Sequence, residues 1–292
     1  MRIDTHVHIF PEPAGIDPPT FANSQGELHW LKLVAPKDRP SIQAWADPET
    51  CLRHMDSVGI DMVILQGWYW ENADTCTLHN AIYAEILKKW PDRFKAFASF
   101  HPDLVRENSA CLDQILESGF SGLGELLPQA QGYMFEDPDF VKALRYAESQ
   151  GLWINFHATE PAGGSYPGRV ETPLQKFVEL AGQLPDLKLI LSHLGGGLAL
   201  LSQNPGVRKY LKNVYFDTAA WPLIYSDETL ASAIKLAGPR KLLYGTDYPL
   251  RTFPRYSLED QMHRNLNAFL DLPFNDKDSL ESILTNGLLV IK

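Results

Sequence analysis

Short apolar runs rich in β-branched and aromatic residues alternate with amphipathic stretches along the whole chain. The runs are 2–9 (RIDTHVHI), 62–67 (MVILQG), 94–100 (FKAFASF), 120–127 (FSGLGELL), 152–160 (LWINFHATE), 188–194 (KLILSHL), 214–219 (VYFDTA) and 242–249 (LLYGTDYP). Several are apolar on both faces, as parallel strands covered by helices must be. Between them, apolar positions recur at helical spacing with start and stop chemistry. Thr50 caps a helix carrying Leu52 and Met55 that stops at Gly59, and Ser109 precedes Leu112, Ile115 and Leu116 with Gly119 behind them. Asp137-Pro138 opens a helix closed by Gly151, and Thr172-Pro173 opens another with Leu174, Phe177 and Leu180. Eight strands alternating with helices predict an α/β fold, a single (β/α)8 (TIM) barrel domain over 1–292. The spacing breaks once, with about 60 residues between the first two strands against the roughly 30 of a βαβ unit. Residues 10–48 hold seven of the 21 prolines together with Trp30 and Trp45. They predict a long ordered loop inserted after strand one, over the barrel mouth.

Composition narrows the function classes. The chain is 45% hydrophobic and 21% charged, enough for a sizeable core, and no apolar run reaches the length of a membrane span. Its 26 Lys and Arg against 36 Asp and Glu give a net charge of −10, which disfavours nucleic-acid and anionic-membrane partners. A small-molecule substrate is the partner expected, with homo-oligomerisation left open. Met1-Arg2-Ile3-Asp4-Thr5 shows no basic region leading into an apolar core, and Cys51, Cys76 and Cys111 form no CxxC pair. No disulfide framework is expected, and the placement expected is cytoplasmic.

In a barrel, functional side chains sit at the carboxyl ends of the strands. Strand one ends in His6-Val7-His8, strand four carries Glu125, strand five His157, strand six His193 and strand eight Asp247. Residues two apart on a strand face one side and reach one ion together. An HxH pair alone is weak, since nine histidines in 292 residues produce about 0.3 such pairs by chance. The four further residues change that. Imidazoles and carboxylates converging on one axis without a cation carry heavy desolvation penalties, and a metal accounts for all of them. His29, His54, His79, His101 and His263 fall on loops or helices and read as ordinary structural histidines.

These residues resemble the amidohydrolase superfamily: HxH on strand one, histidines after strands five and six, aspartate after strand eight. Asp4-Thr5-His6-Val7-His8, the stretch from Asn80 to Phe100, Ser192-His193-Leu194-Gly195-Gly196, Gly245-Thr246-Asp247-Tyr248-Pro249 and Asn286 place the likeness nearest the branch of aminocarboxymuconate-semialdehyde decarboxylases and pyrone-dicarboxylate lactonases. The likeness covers essentially the whole chain. It implies that His6, His8, His157 and Asp247 ligate one divalent transition metal, zinc first, with manganese, iron or cobalt as alternatives. His193 would orient substrate or water, or hold a second, weaker ion. Strand four departs from the pattern: Gly122-Leu123-Gly124-Glu125 offers glutamate and no lysine to bridge two ions. Glu125 resembles the strand-four glutamate of metal-dependent nucleases and related hydrolases, where it contacts metal; ligation is expected, with bridging two ions or acting as a nearby acid as the alternatives.

Around the mouth, Trp68 and Tyr69 follow strand two, Tyr166 and Arg169 follow strand five, and Arg251 follows strand eight. Planar rings and guanidinium groups suit a compact cyclic or conjugated substrate bearing a carboxylate. The leading expectation is hydrolysis of an amide or lactone by metal-activated water, with Asp247 moving the proton and His193 steadying the oxyanion. The alternative is non-oxidative decarboxylation of an aromatic or dienoic acid by the same residues. A nuclease and a non-catalytic binding barrel stand further back.

Overall fold

The structure, a computed structural model, describes residues 1–274 and 276–291. Strands β1 (Ile3–Val7), β2 (Met62–Leu65), β3 (Phe94–Ala98), β4 (Gly122–Leu126), β5 (Trp153–Phe156), β6 (Lys188–Leu191), β7 (Val214–Asp217) and β8 (Leu242–Leu243) form one parallel sheet in sequence order. The barrel closes where the Thr5 amide donates to the Tyr244 carbonyl at 2.8 Å and Val7 bridges Tyr248. All eight predicted runs contain a strand.

The run composition follows from burial on both faces. Ile3, Ile64, Phe97, Trp153, Ile190 and Leu243 fill the barrel floor, while Val63, Leu65, Ala96, Ile154 and Leu189 pack outward under the helices. The pairing register slips between Asp4 and Val7 in β1 and between Leu123 and Leu126 in β4. Because strand side chains alternate, such a slip changes which residues face inward. It lets Ile3 serve the floor while His6 and His8 join the polar group above it. Beyond the short β8 the chain leaves the ladder, and Asp247 sits in the left-handed region at φ 66°.

Helix starts correct three of the predicted openings. Asp47, not Thr50, caps the helix over Pro48–Val58, accepting the Thr50 amide at 2.6 Å, and Gly59 ends it at φ 70°. Ser109 caps nothing, since the helix over Cys111–Glu117 follows Ala110 without a side-chain cap. Asp137 caps its helix as predicted. The Thr172 hydroxyl is spent elsewhere, accepting the Thr159 amide at 3.0 Å and pinning the loop after β5.

The stretch read as a long loop is ordered but largely helical: α1 (Glu12–Ile16), α2 (Pro18–Gln25) and α3 (Leu28–Val34). Prolines that suggested a loop stand at the first turn of α1 and α2, where a missing amide hydrogen costs nothing. Phe10, Phe21, Trp30 and Trp70 knit the insertion into a second apolar cluster. Glu27, fully buried, accepts the amides of Glu71 at 2.7 Å and Asn72 at 3.2 Å, and so ties the insertion to the loop after β2. The cysteines are free and buried. Among the described residues, no helix is long and apolar enough to cross a membrane.

Candidate metal centre

At the carboxyl ends of the strands, six ionisable side chains converge. The Nε2 atoms of His6 and His8 stand 3.1 Å apart. Glu125 Oε2 lies 3.7 Å from His6 Nε2 and 3.8 Å from His8 Nε2, and Asp247 Oδ1 lies 3.7 and 3.5 Å from the same two atoms. Four donors around one ion at about 2.0–2.2 Å in tetrahedral geometry lie roughly 3.3–3.6 Å from one another. The five distances just given bracket that range, so this donor set fits a divalent ion.

His157 and His193 stand on the other side of Glu125. Glu125 Oε1 is 2.9 Å from His157 Nδ1 and 3.5 Å from His193 Nε2, and those two nitrogens are 3.2 Å apart. The structure thus brings together every metal-ligand residue expected from sequence, and groups His157 with His193 and Glu125 instead of with His6 and His8.

Local backbone aims these groups. His193 and Leu194 hold left-handed φ values of 59° and 57°, continued by Gly195 at 64° and Gly196 at 59°. For non-glycine residues each costs about 1–3 kcal/mol, a strain the surrounding contacts must hold in place. Glycine is required just behind His6: a Cβ on Gly245 would lie 2.8 Å from the His6 Cβ.

Further residues fix the imidazoles. Asp217, at the end of β7, faces His6 Nδ1 at 2.8 Å and accepts the amides of His193 at 2.8 Å and Ala219 at 3.1 Å. The Gln66 carbonyl faces His8 Nδ1 at 3.0 Å, and the Ala219 carbonyl faces His193 Nδ1 at 2.9 Å. With their Nδ1–H groups donated outward, all three rings turn an Nε2 lone pair inward, the tautomer a ligand needs. Asp217 escaped the sequence reading. The signal was present, because VYFD ends a strand in a carboxylate just as the run around Glu125 offers one.

Electrostatics point the same way. Burial opposes charge on His6, yet the Asp217, Glu125 and Asp247 carboxylates around it hold its pKa up at about 10. His193 is raised to about 9, with burial opposing and Glu125 foremost in favour. Burial, and then the neighbouring His6, push His8 down to about 3. Burial raises the Asp247 carboxyl above its usual range, whereas Glu125 is held well below its own despite burial, by His157 and His6. The pocket draws positive charge inward.

The predicted substrate contacts divide. Between ring centroids, Trp68 stacks on Tyr69 at 4.3 Å and meets His8 edge-on at 5.2 Å, and Tyr69 lies 5.3 Å from His157. These two rings wall the centre. Tyr166 carries the Arg39 guanidinium at 5.8 Å, Arg169 donates to the Glu160 carbonyl, and Arg251 donates to the Ser41 carbonyl. Among the described residues, none of these three hydrogen-bonds a donor of the centre. Arg169 and Arg251 each retain a buried Nε without a partner, as does the Trp68 indole nitrogen. His101 is structural, capping the helix over Pro102–Glu107 and stacking edge-on against Tyr133.

Comparison with known proteins agrees with this architecture. The amidohydrolase family model matches residues 3–279. A 2-amino-3-carboxymuconate-6-semialdehyde decarboxylase of Dictyostelium discoideum is 22% identical over 85% of this chain and 82% of its own length. A 5-carboxyvanillate decarboxylase structure from Novosphingobium aromaticivorans, complexed with manganese and 4-hydroxy-3-methoxy-5-nitrobenzoic acid, superposes with a TM-score of 0.71 at 16% identity, covering 100% of this chain and 96% of that one. A probable 2-pyrone-4,6-dicarboxylic acid hydrolase structure from Acinetobacter baumannii, with citric acid bound, gives 0.64 at 18% identity, covering 99% and 98%. At these identities the structural likeness establishes the barrel. The family follows from the match along nearly the full sequence: this chain is an enzyme of the amidohydrolase family.

Proposed function

We propose that this protein is a metal-dependent, non-oxidative decarboxylase of a small aromatic or conjugated carboxylic acid. The observation that carries the reading is the Trp68–Tyr69 wall set directly against His8 and His157. A flat acid stacked on that wall presents its carboxylate to the donors. The Dictyostelium relative supports the reading, and it reverses the order expected from sequence, where hydrolysis led.

His6, His8, Glu125 and Asp247 would hold a divalent ion, with His157 and His193 on the far side of Glu125. Two imidazoles and two carboxylates accept zinc or manganese. When bound, the ion supplies positive charge that holds the substrate's oxygens and steadies negative charge left on the ring. The carbon–carboxylate bond breaks, the electron pair stays on carbon, carbon dioxide leaves, and carbon takes one proton. Asp247 delivers it. One of its oxygens faces His6 and His8, and its side chain, 13% exposed, opens more to the mouth than Glu125 at 2%. His193, held by Ala219 and Asp217, keeps Glu125 in place. Tyr166, Arg169 and Arg251 form the outer rim, where the two guanidinium groups add positive charge for further oxygens of the substrate.

The test is product analysis in H2(18)O with metal-loaded protein and a panel of hydroxybenzoic and carboxylated dienoic acids. Carbon dioxide release without 18O in the organic product supports decarboxylation. Uptake of 18O into a ring-opened or amide-cleaved product, with no carbon dioxide, overturns it in favour of hydrolysis.

A further inference from the structure

We propose that His79 is a positioning residue: it sets where the Trp68–Tyr69 wall stands over His8, and through the wall it governs how tightly a flat acid binds. This rests on the reading of the wall as the face that takes an aromatic or conjugated substrate. Along the chain His79 reads as an ordinary structural histidine, and its partners give it this further role.

His79 lies on the helix over Ala73–Lys89, fully buried among three segments of the mouth. Its Nε2–H donates to the Ile9 carbonyl at 2.8 Å, one residue past His8. That leaves Nδ1 as an acceptor, which takes the Trp70 indole N–H at 3.0 Å and faces the Ser99 hydroxyl at 3.1 Å. Ser99 Oγ in turn accepts the Trp68 amide at 2.9 Å. One imidazole thus joins the end of β1, the loop after β2 and the end of β3. Burial pushes its pKa down to about 4, so the ring is neutral and carries the single N–H this arrangement needs.

The other ties of the wall loop fix its far end. The Trp70 carbonyl accepts from Gln131 at 3.0 Å, and Glu27 takes the amides of Glu71 and Asn72. The near end runs against Ser99 so closely that a Cβ on Gly67 would lie 2.3 Å from the Ser99 amide nitrogen. On the strand side, Tyr83 stands one helical turn from His79, their rings 4.3 Å apart. Its hydroxyl accepts the Ile9 amide at 3.2 Å and donates to the Gln66 carbonyl at 2.9 Å, the same carbonyl that faces His8 Nδ1. Both polar groups of Ile9 are therefore held by one helix. Of the two side chains that hold them, His79 is the one that also reaches the wall loop. Phenylalanine at 79 would keep a ring beside Phe10 but leave the Ile9 carbonyl and the Trp70 indole N–H buried without partners, and the loop must then shift to find them. Glutamine would return one donor and one acceptor.

The experiment compares full-length, metal-loaded wild type with His79→Phe, His79→Gln and Ser99→Ala on the panel of hydroxybenzoic and carboxylated dienoic acids, with crystal structures of all four. His79→Phe should keep its metal content while KM for the best acid rises about tenfold and kcat stays within threefold, because a displaced stacking face removes binding shared by ground state and transition state. Ser99→Ala should raise KM by less, and His79→Gln should return it to within threefold of wild type. In the crystals, Trp68 should leave its 5.2 Å station over His8 in His79→Phe and keep it in His79→Gln. A fall in kcat alone, with KM unchanged, marks lost folded protein and overturns the proposal. So does a folded His79→Phe whose wall has not moved. If His79→Phe does not fold, Ser99→Ala decides, and an unmoved wall there overturns the proposal. If wild type releases carbon dioxide from no acid, the decarboxylase reading fails by itself, and the position of Trp68 in the crystals decides the role of His79.

Discussion

Asp217 offers the sharpest test of how the centre is built. Its Oδ1 accepts the backbone amides of His193 at 2.8 Å and Ala219 at 3.1 Å, and its Oδ2 faces His6 Nδ1 at 2.8 Å. In Asp217→Asn the side-chain oxygen must stay on the two amides, which have no other acceptor there. The new NH2 group then points at His6 Nδ1 and turns it from donor to acceptor. The imidazole proton moves to Nε2, into the space an ion would occupy. His6 is fully buried, with Asp217 and Ser192 both on its Nδ1, so its ring cannot turn away cheaply. Replacing a group that orients a metal-bound histidine lowers metal affinity typically 10–100-fold. The tautomer reversal puts this substitution toward the upper end, about 2.8 kcal/mol. Competition titration against a chromophoric chelator reads the dissociation constant directly. Aspartate and asparagine have nearly equal volume, so thermal unfolding of the metal-stripped variant checks that packing is intact. A folded Asp217→Asn protein whose metal affinity stays within threefold of wild type would refute this account of how His6 is set.

Three further outcomes are expected. Asp247→Asn keeps an oxygen toward His6 and His8 but cannot carry the proton, so turnover should fall by about 10²–10⁴ in preparations matched for metal content; normal loading with near-normal turnover would move the proton to another group. His6→Ala combined with His8→Ala should abolish binding at the position they share, read by elemental analysis, since two of its four donors vanish. The third concerns pH. His6 and His193 are raised to about 10 and about 9 when folded, against 6.5 for free imidazole. The folded protein therefore keeps protons that the unfolded chain releases above pH 6.5. Stability of metal-stripped protein should be full on this account below pH 6.5 and decline as pH rises toward 10. In loaded protein an ion takes the place of those protons and the decline should flatten, so equal slopes with and without metal would contradict the charge balance described here.

The barrel was legible in the amino-acid sequence because its signals are local. A strand covered on both faces must be apolar on both, a helix must start and stop, and Asp137, Gly59 and Gly151 announce those events within a few residues. The members of the polar cluster were legible for the same reason: His6, His8, Glu125, His157, His193 and Asp247 each stand at or near the end of a strand recognisable by itself. Their mutual arrangement was not. Whether Glu125 touches one set of donors or two depends on register slips in β1 and β4 and on the left-handed turn at His193, and neither leaves a periodic trace. Asp217 was overlooked because a carboxylate ending a strand becomes informative only when its neighbour across the barrel is known to be His6. The inserted segment shows the limit most plainly. Its prolines read as breakers along the chain, yet they begin helices once Phe10, Trp30 and Trp70 give those helices something to pack on. Propensity is a property of neighbouring residues, whereas burial, tautomer and the sharing of one carboxylate by four imidazoles arise only where distant strands meet.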